Sequence, residues 1–113
     1  MNDVTRPGGD ILERLFRTIE SRRSANPETS HTAKLFQKGT KKIAQKVGEE
    51  AVETALASVA EDDESLLGEA ADLIFHLTVL LRSRGLSVHD AVKVLRNRHV
   101  ARRQAANPSS MEP

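Results

Sequence analysis

Glu49, Glu50 and Glu53 form a Glu-Glu-x-x-Glu run, and Glu69 and Asp72 follow as Glu-x-x-Asp. Carboxylates three or four residues apart share one face of a helix. On an ideal helix Glu49 and Glu53 lie about 40° apart, and the pairs Glu50–Glu53 and Glu69–Asp72 about 60° apart. Each motif therefore presents a narrow acidic strip. Each strip borders apolar residues, Ala51 and Val52 beside one, and Ala70, Ala71 and Leu73 beside the other. Two such strips turned face to face make a cage of oxygen anions. The cage repels itself unless a hard cation fills it, and Mg²⁺ is the usual occupant. Most Glu pairs on surface helices are only solvated. Here two features favour a site: like charges at this spacing cost stability without a partner, and Glu69 and Asp72 lie in the least charged helical stretch, beside Ala rather than Lys.

The donor set narrows the metal. The chain has no Cys, and neither motif places a His three residues after a carboxylate, as helical di-iron sites do. His76 follows Asp72 by four, but a lone His on an apolar face reads as a hydrogen-bonded core residue. Oxygen-only ligation favours Mg²⁺, with Mn²⁺ as a substitute. Lys38, Lys41, Lys42 and Lys46 precede the first strip. A phosphate chain bridging metal and lysines needs this adjacency, although Lys46 stands three and four residues before Glu49 and Glu50 and is equally placed for ion pairs. Arg82, Arg84, Arg96, Arg98, Arg102 and Arg103 are further cations, at helix ends that are more often just solvated.

Size and composition bound the scaffold. A chain of 113 residues makes one small domain. No apolar run approaches the roughly 20 residues that span a bilayer, and Met1 to Asp10 lacks the apolar core of a signal peptide. A soluble cytoplasmic protein is expected. Seventeen basic and 16 acidic residues leave a net charge of +1, which exerts no bulk pull toward nucleic acid. With no Trp or Tyr and three Phe, an aromatic platform for single strands is not expected.

The elements that must hold the strips are helices. Asp10 with Glu13 reads as a capping box, and Ile11, Leu12, Leu15, Phe16 and Ile19 recur at helical spacing up to about Arg23. Asn26-Pro27 breaks the chain. Ser30 to Gln37 is a short helix or turn ended by Gly39, and Thr40 is expected to cap a helix over about 41–60. Its inward stripe is read as Ile43, Ala44, Val47, Ala51, Ala55 and Val59. Glu61-Asp62-Asp63 supplies N-cap oxygens for a fourth helix that ends near Arg84 at Gly85. Ser87 with Asp90 opens a fifth, with Val88, Ala91, Val92 and Leu95 as its buried stripe. Residues 1–9 and 105–113 are expected to be disordered ends around an all-α domain over 10–104. The fourth helix is apolar almost all round from Leu73 to Leu81, so it must be covered on every side. An antiparallel helical bundle completed by homodimerisation is expected, with this helix central.

The stretch from Ser30 to Glu53, with Thr32, Lys38, Gly39, Ile43, Lys46, Glu49, Glu50 and Glu53, resembles phosphoribosyl-ATP pyrophosphatase. So does Glu69-Ala70-Ala71-Asp72-Leu73-Ile74-Phe75-His76-Leu77, followed by Leu80-Leu81 and Gly85-Leu86-Ser87. The resemblance runs from about Ile11 to His99. The two acidic motifs alone mark the wider all-α nucleoside triphosphate pyrophosphohydrolase superfamily; the Lys-Val-Gly-Glu-Glu and Asp-Leu-Ile-Phe-His contexts narrow it. The resemblance implies Mg²⁺-dependent hydrolysis of phosphoribosyl-ATP to phosphoribosyl-AMP and diphosphate, the second step of histidine biosynthesis, by a dimer whose central bundle is shared between chains. It departs from the family at His31, where an aromatic residue often stands between Ser30 and Thr32; if that position touches substrate, stacking is weaker here. Some relatives join this domain to a cyclohydrolase, and here that activity is expected on another polypeptide.

On this reading water attacks the α-phosphorus and diphosphate leaves. Glu50, Glu53, Glu69 and Asp72 are the expected Mg²⁺ ligands. Glu49 is expected to position or deprotonate the water or to hold a second ion, with base and ligand not separable between Glu49 and Glu50. Lys46, Lys42 and Lys38 are expected to balance the triphosphate. Two rivals share parts of this pattern. A house-cleaning pyrophosphatase for nucleoside triphosphates would carry the same carboxylates. A non-enzymatic helical module could use Arg96, Arg98, His99, Arg102 and Arg103, though without a trustworthy turn and recognition helix.

Overall fold

The structure is a computed structural model and describes residues 9–106. It is all-α: α1 (Gly9–Arg22), α2 (His31–Lys38), α3 (Thr40–Ala60), α4 (Asp63–Ser83) and α5 (Val88–Ala106). No strand occurs among the described residues, and none of their helices is long and apolar enough to cross a membrane. Asp10, expected as an N-cap, instead lies inside α1 one residue after its start, and most of the two expected disordered ends lie outside the described residues. Gly9 already belongs to α1, and α5 continues to Ala106.

The caps explain where helices start and stop. Ser30 Oγ accepts the Ala33 N–H at 3.2 Å, opening α2. Asp62 Oδ1 accepts the Ser65 N–H at 2.9 Å, opening α4 directly after the short turn. Gly85 takes φ +77°, which lets its N–H reach the Arg82 carbonyl and the Leu86 N–H reach the Leu81 carbonyl, the Schellman closure of α4. Ser87 and Asp90 form the reciprocal box expected of them, the Ser87 N–H on Asp90 Oδ2 at 2.9 Å and the Asp90 N–H on Ser87 Oγ at 3.3 Å. Thr40 differs from expectation. Gly39 at φ +91° occupies the cap position with no side-chain bond to offer, and Thr40, already helical, donates instead to Ser83 Oγ at 3.0 Å.

That last bond ties the start of α3 to the end of α4, while the Glu61–Asp62 turn joins their other ends. The two helices, 21 residues each and so about 31 Å long, run antiparallel. α1 and α2 pack over the Thr40–Ser83 end, where Ile19, Leu35, Ile43 and Val79 form the buried core with Leu15, Phe36, Phe75 and Leu80 against it. Arg82 fastens α1 to α4: its Nε donates to Glu20 Oε1 at 2.9 Å and its Nη2 to Oε2 at 3.2 Å, while its guanidinium lies 5.3 Å from the Phe16 ring centre.

The buried stripe of α3 is not the expected one. Ile43, Glu50 and Ala57 are buried and Val47 and Thr54 half-buried, whereas Ala44, Ala51, Ala55 and Val59 are exposed within one chain. The spacing 43–47–50–54–57 is a four-three seam of the coiled-coil kind. Two of its five residues are polar, so hydrophobicity did not mark it. In α4 the inner face likewise carries His76 and Thr78 with Val79, and Thr78 satisfies its hydroxyl on the Ile74 carbonyl at 2.8 Å. The greasy residues Val52, Leu56, Val59, Leu67 and Ile74 are left exposed. The stripe expected on α5 also fails: none of its residues is buried, and Ala91, Val92 and Leu95 face solvent. α5 is anchored at its first turn, where His89 meets Phe16 edge-on and stands 3.5 Å from Glu13.

Candidate active site

α3 carries the site as a two-sign strip. Counted from Lys42 at about 100° per residue, Lys46, Glu49 and Glu53 all fall within about 40° of it. The cationic half lies nearer the N-terminus of α3, where the helix dipole adds positive potential, and the anionic half follows. Lys38 in the last turn of α2 extends the cationic half. A cleft of about 610 Å³ opens along it, lined by His31, Leu35, Lys38, Lys42, Gln45, Lys46 and Glu49. Lys38 and Lys42 make no ion pair among the described residues. Lys46 makes a long one, 3.9 Å to Glu49 Oε1, with both side chains about half exposed; such a contact holds a lysine weakly and leaves it available. Gln45 Nε2 also donates to Glu49, at 3.3 Å.

Beyond the cleft the two acidic strips meet. Glu69 on α4 lies near enough to Glu53 and Glu50 on α3 to feel their charge. Burial pushes the Glu69 carboxyl above its ordinary range first; the negative neighbours Glu53, Glu50 and Asp72 push it further. Glu53, Glu50, Glu69 and Asp72 therefore sit in one electrostatic neighbourhood, although Glu53 and Asp72 themselves are exposed. Glu50 is the outlier, 6% exposed and without an ion pair or side-chain hydrogen bond among the described residues. In the observed rotamers no group of three or more His, Asp or Glu among the described residues is gathered closely enough to hold an ion. The oxygen-only donors and the negative charge gathered around Glu69 suit a hard divalent cation.

His76 is half of what its spacing suggests. It is buried, and its Nδ1 is 2.8 Å from the Asp72 carbonyl of its own helix, but its Nε2 has no partner. His31 lies over it, stacked on Phe75 at 6.1 Å and 19° and edge-on to His76 at 6.3 Å. Burial and then the positive charge of His76, Lys38, Lys34 and Lys46 hold the His31 pKa below the ordinary imidazole value. His31, Leu35 and Gln45 line the cleft but were not assigned site roles from sequence. Helical spacing was the available signal, since Gln45 stands three after Lys42 and four before Glu49. Of the arginines, Arg82 is structural, and Arg96, Arg98, Arg102 and Arg103 lie along α5, away from the strip.

Residues 12–99 match the family model described as phosphoribosyl-ATP pyrophosphohydrolase. The chain belongs to this family. Among curated proteins it is 54% identical over 96 residues to the histidine biosynthesis bifunctional protein HisIE of Pasteurella multocida, covering 85% of this chain and 48% of that protein. It is 56% identical over 91 residues to HisIE of Campylobacter jejuni, covering 80% of this chain and 44% of the relative. Against HisIE of Escherichia coli the figures are 53% over 89 residues, 79% and 44%. The chain thus spans slightly under half the length of these relatives. Within the phosphoribosyl-ATP pyrophosphohydrolase stretch fall every lysine and carboxylate of the two-sign strip, Glu69, Asp72, and the His31–Phe75–His76 cluster.

Proposed function

We propose that this chain hydrolyses phosphoribosyl-ATP to phosphoribosyl-AMP and diphosphate, in a Mg²⁺-dependent reaction that serves histidine biosynthesis. What supports the reading is the proximity of Glu69 to Glu53 and Glu50 beside a lysine-lined cleft, inside the stretch that matches the family. A new bond forms between the water oxygen and the α-phosphorus, the α–β bridging bond breaks, and the electron pair leaves with diphosphate. Glu50, Glu53, Glu69 and Asp72 would hold Mg²⁺, or Mn²⁺ in its place. When bound, the ion neutralises phosphate oxygens and lowers the cost of bringing a nucleophile to an anionic centre. Lys38, Lys42 and Lys46 receive the phosphate chain as point charges. Glu49, exposed at the cleft wall and steadied by Gln45 and Lys46, orients the attacking water and takes its proton. Glu50, turned inward, is better placed to ligate than to accept that proton.

The uncovered apolar residues on α3 and α4 support a homodimer. The radius of gyration of 17.5 Å, against about 13 Å for a compact chain of this length, supports it too.

The deciding experiment is product analysis after incubation with phosphoribosyl-ATP and Mg²⁺, beside a panel of nucleoside triphosphates. Phosphoribosyl-AMP and diphosphate are the expected products. A preference for free triphosphates would turn the assignment toward a house-cleaning pyrophosphatase. Glu50→Gln or Asp72→Asn should lower turnover at least a thousandfold with helicity unchanged by circular dichroism; near-normal activity in either variant would remove it from the ligand set.

A further inference from the structure

Three lysines account for the phosphate chain, but His31 and Leu35 form a wall with nothing anionic to meet. His31 is the one ring among the residues that line the cleft. Its backbone is set by the cap just before it, where Ser30 holds the Ala33 N–H. Phe75 lies nearly parallel to it and His76 stands against it edge-on, so α4 backs the imidazole. We propose that His31, held flat against Phe75, is the surface on which the purine of the substrate stacks, so that this residue makes the cleft select nucleotides over bare polyphosphates.

The proposal rests on the assigned reaction for the identity of the substrate and deepens it by naming a specificity residue. The physical case is one of matching parts. A nucleotide is a flat apolar ring at one end and a polyanion at the other. The cleft offers a ring-and-leucine wall at one end and Lys38, Lys42 and Lys46 along the rest. Burial and the surrounding positive charges disfavour the charged form of the imidazole, which suits it to meet a base as a π-face. Stacking on such a face is tolerant of base identity and sensitive to loss of the ring.

Calorimetric titration of the full chain with ATP and with inorganic tripolyphosphate separates the two ends of the cleft. His31→Ala should weaken ATP about tenfold, the scale of one base–aromatic stack, and leave tripolyphosphate within about twofold. His31→Phe should restore ATP. Equal losses for both probes, no loss for ATP, failure of Phe to restore it, or a wild-type chain that binds ATP no better than tripolyphosphate would each overturn the proposal. If the stacking pattern holds while wild-type protein turns over no phosphoribosyl-ATP, the assigned reaction fails and the stack stands.

Discussion

Glu69 is where the field of the site can be read without a substrate. Its carboxyl is held above the ordinary range, so the folded chain binds that proton more tightly than the unfolded chain does. The stability it lends is complete below the unfolded pKa and is lost as pH rises through the raised folded value. The melting temperature of metal-free protein should therefore fall as pH rises above the ordinary carboxylate range. Glu69→Gln should flatten that fall, and a thermal scan across mildly acidic to neutral pH checks both. Mg²⁺ should raise the melting temperature at neutral pH in the wild type and much less in Glu69→Gln. The spacing of the carboxylates was legible in the sequence because helical geometry converts it directly to a face. Their division of labour was not. Glu49 and Glu50 are about 100° apart on the helix, and only packing against α4 decides that Glu50 turns inward. His31 escaped assignment for a related reason, since its neighbour Phe75 is 44 residues away and reaches it only through the fold.

At the scale of elements, chain boundaries were legible where a single residue type enforces them. Asp62, Gly85 and the Ser87–Asp90 box each stop or start a helix by chemistry that needs no tertiary partner. Gly85→Ala should cost about 1 kcal/mol in urea unfolding, for φ +77° penalises an L side chain although nothing within 4 Å would meet the added carbon. Ile43→Ala, which empties a fully buried position, should cost about 3 kcal/mol. The seam between α3 and α4 was misread because Glu50, Thr54, His76 and Thr78 occupy it. Periodicity finds grease, and this interface spends half its positions on polar groups that either serve the site or bond to their own helix. The Glu20–Arg82 pair was equally hidden, being 62 residues apart in sequence. The Arg82 hydrogen bond, chiefly, holds the Glu20 carboxyl below its ordinary range, so its contribution is present at neutral pH and fades as pH falls through the lowered value. Because Glu20 is largely exposed, solvent screening limits the coupling to about 0.5 kcal/mol in a double-mutant cycle.

For the whole molecule, the apolar residues that α3 and α4 leave uncovered support the proposed homodimer. Sedimentation at micromolar concentration should find a dimer, and Leu56→Asp should shift it toward monomer with loss of thermal stability. The all-α class was legible from the absence of alternation and the density of helical periods. The extent of the bare surface was not, since it depends on how α5 leaves the bundle after touching α1 at His89. A last consequence lies in the Thr40–Ser83 hydroxyl bond. With a covalent turn at one end and that bond at the other, α3 and α4 are rails of set gauge. On the proposed ligand set the slot should sort ions by radius: Ca²⁺, whose oxygens sit about 0.4 Å farther out than those of Mg²⁺, is expected to support little turnover, which an assay with each ion in turn checks.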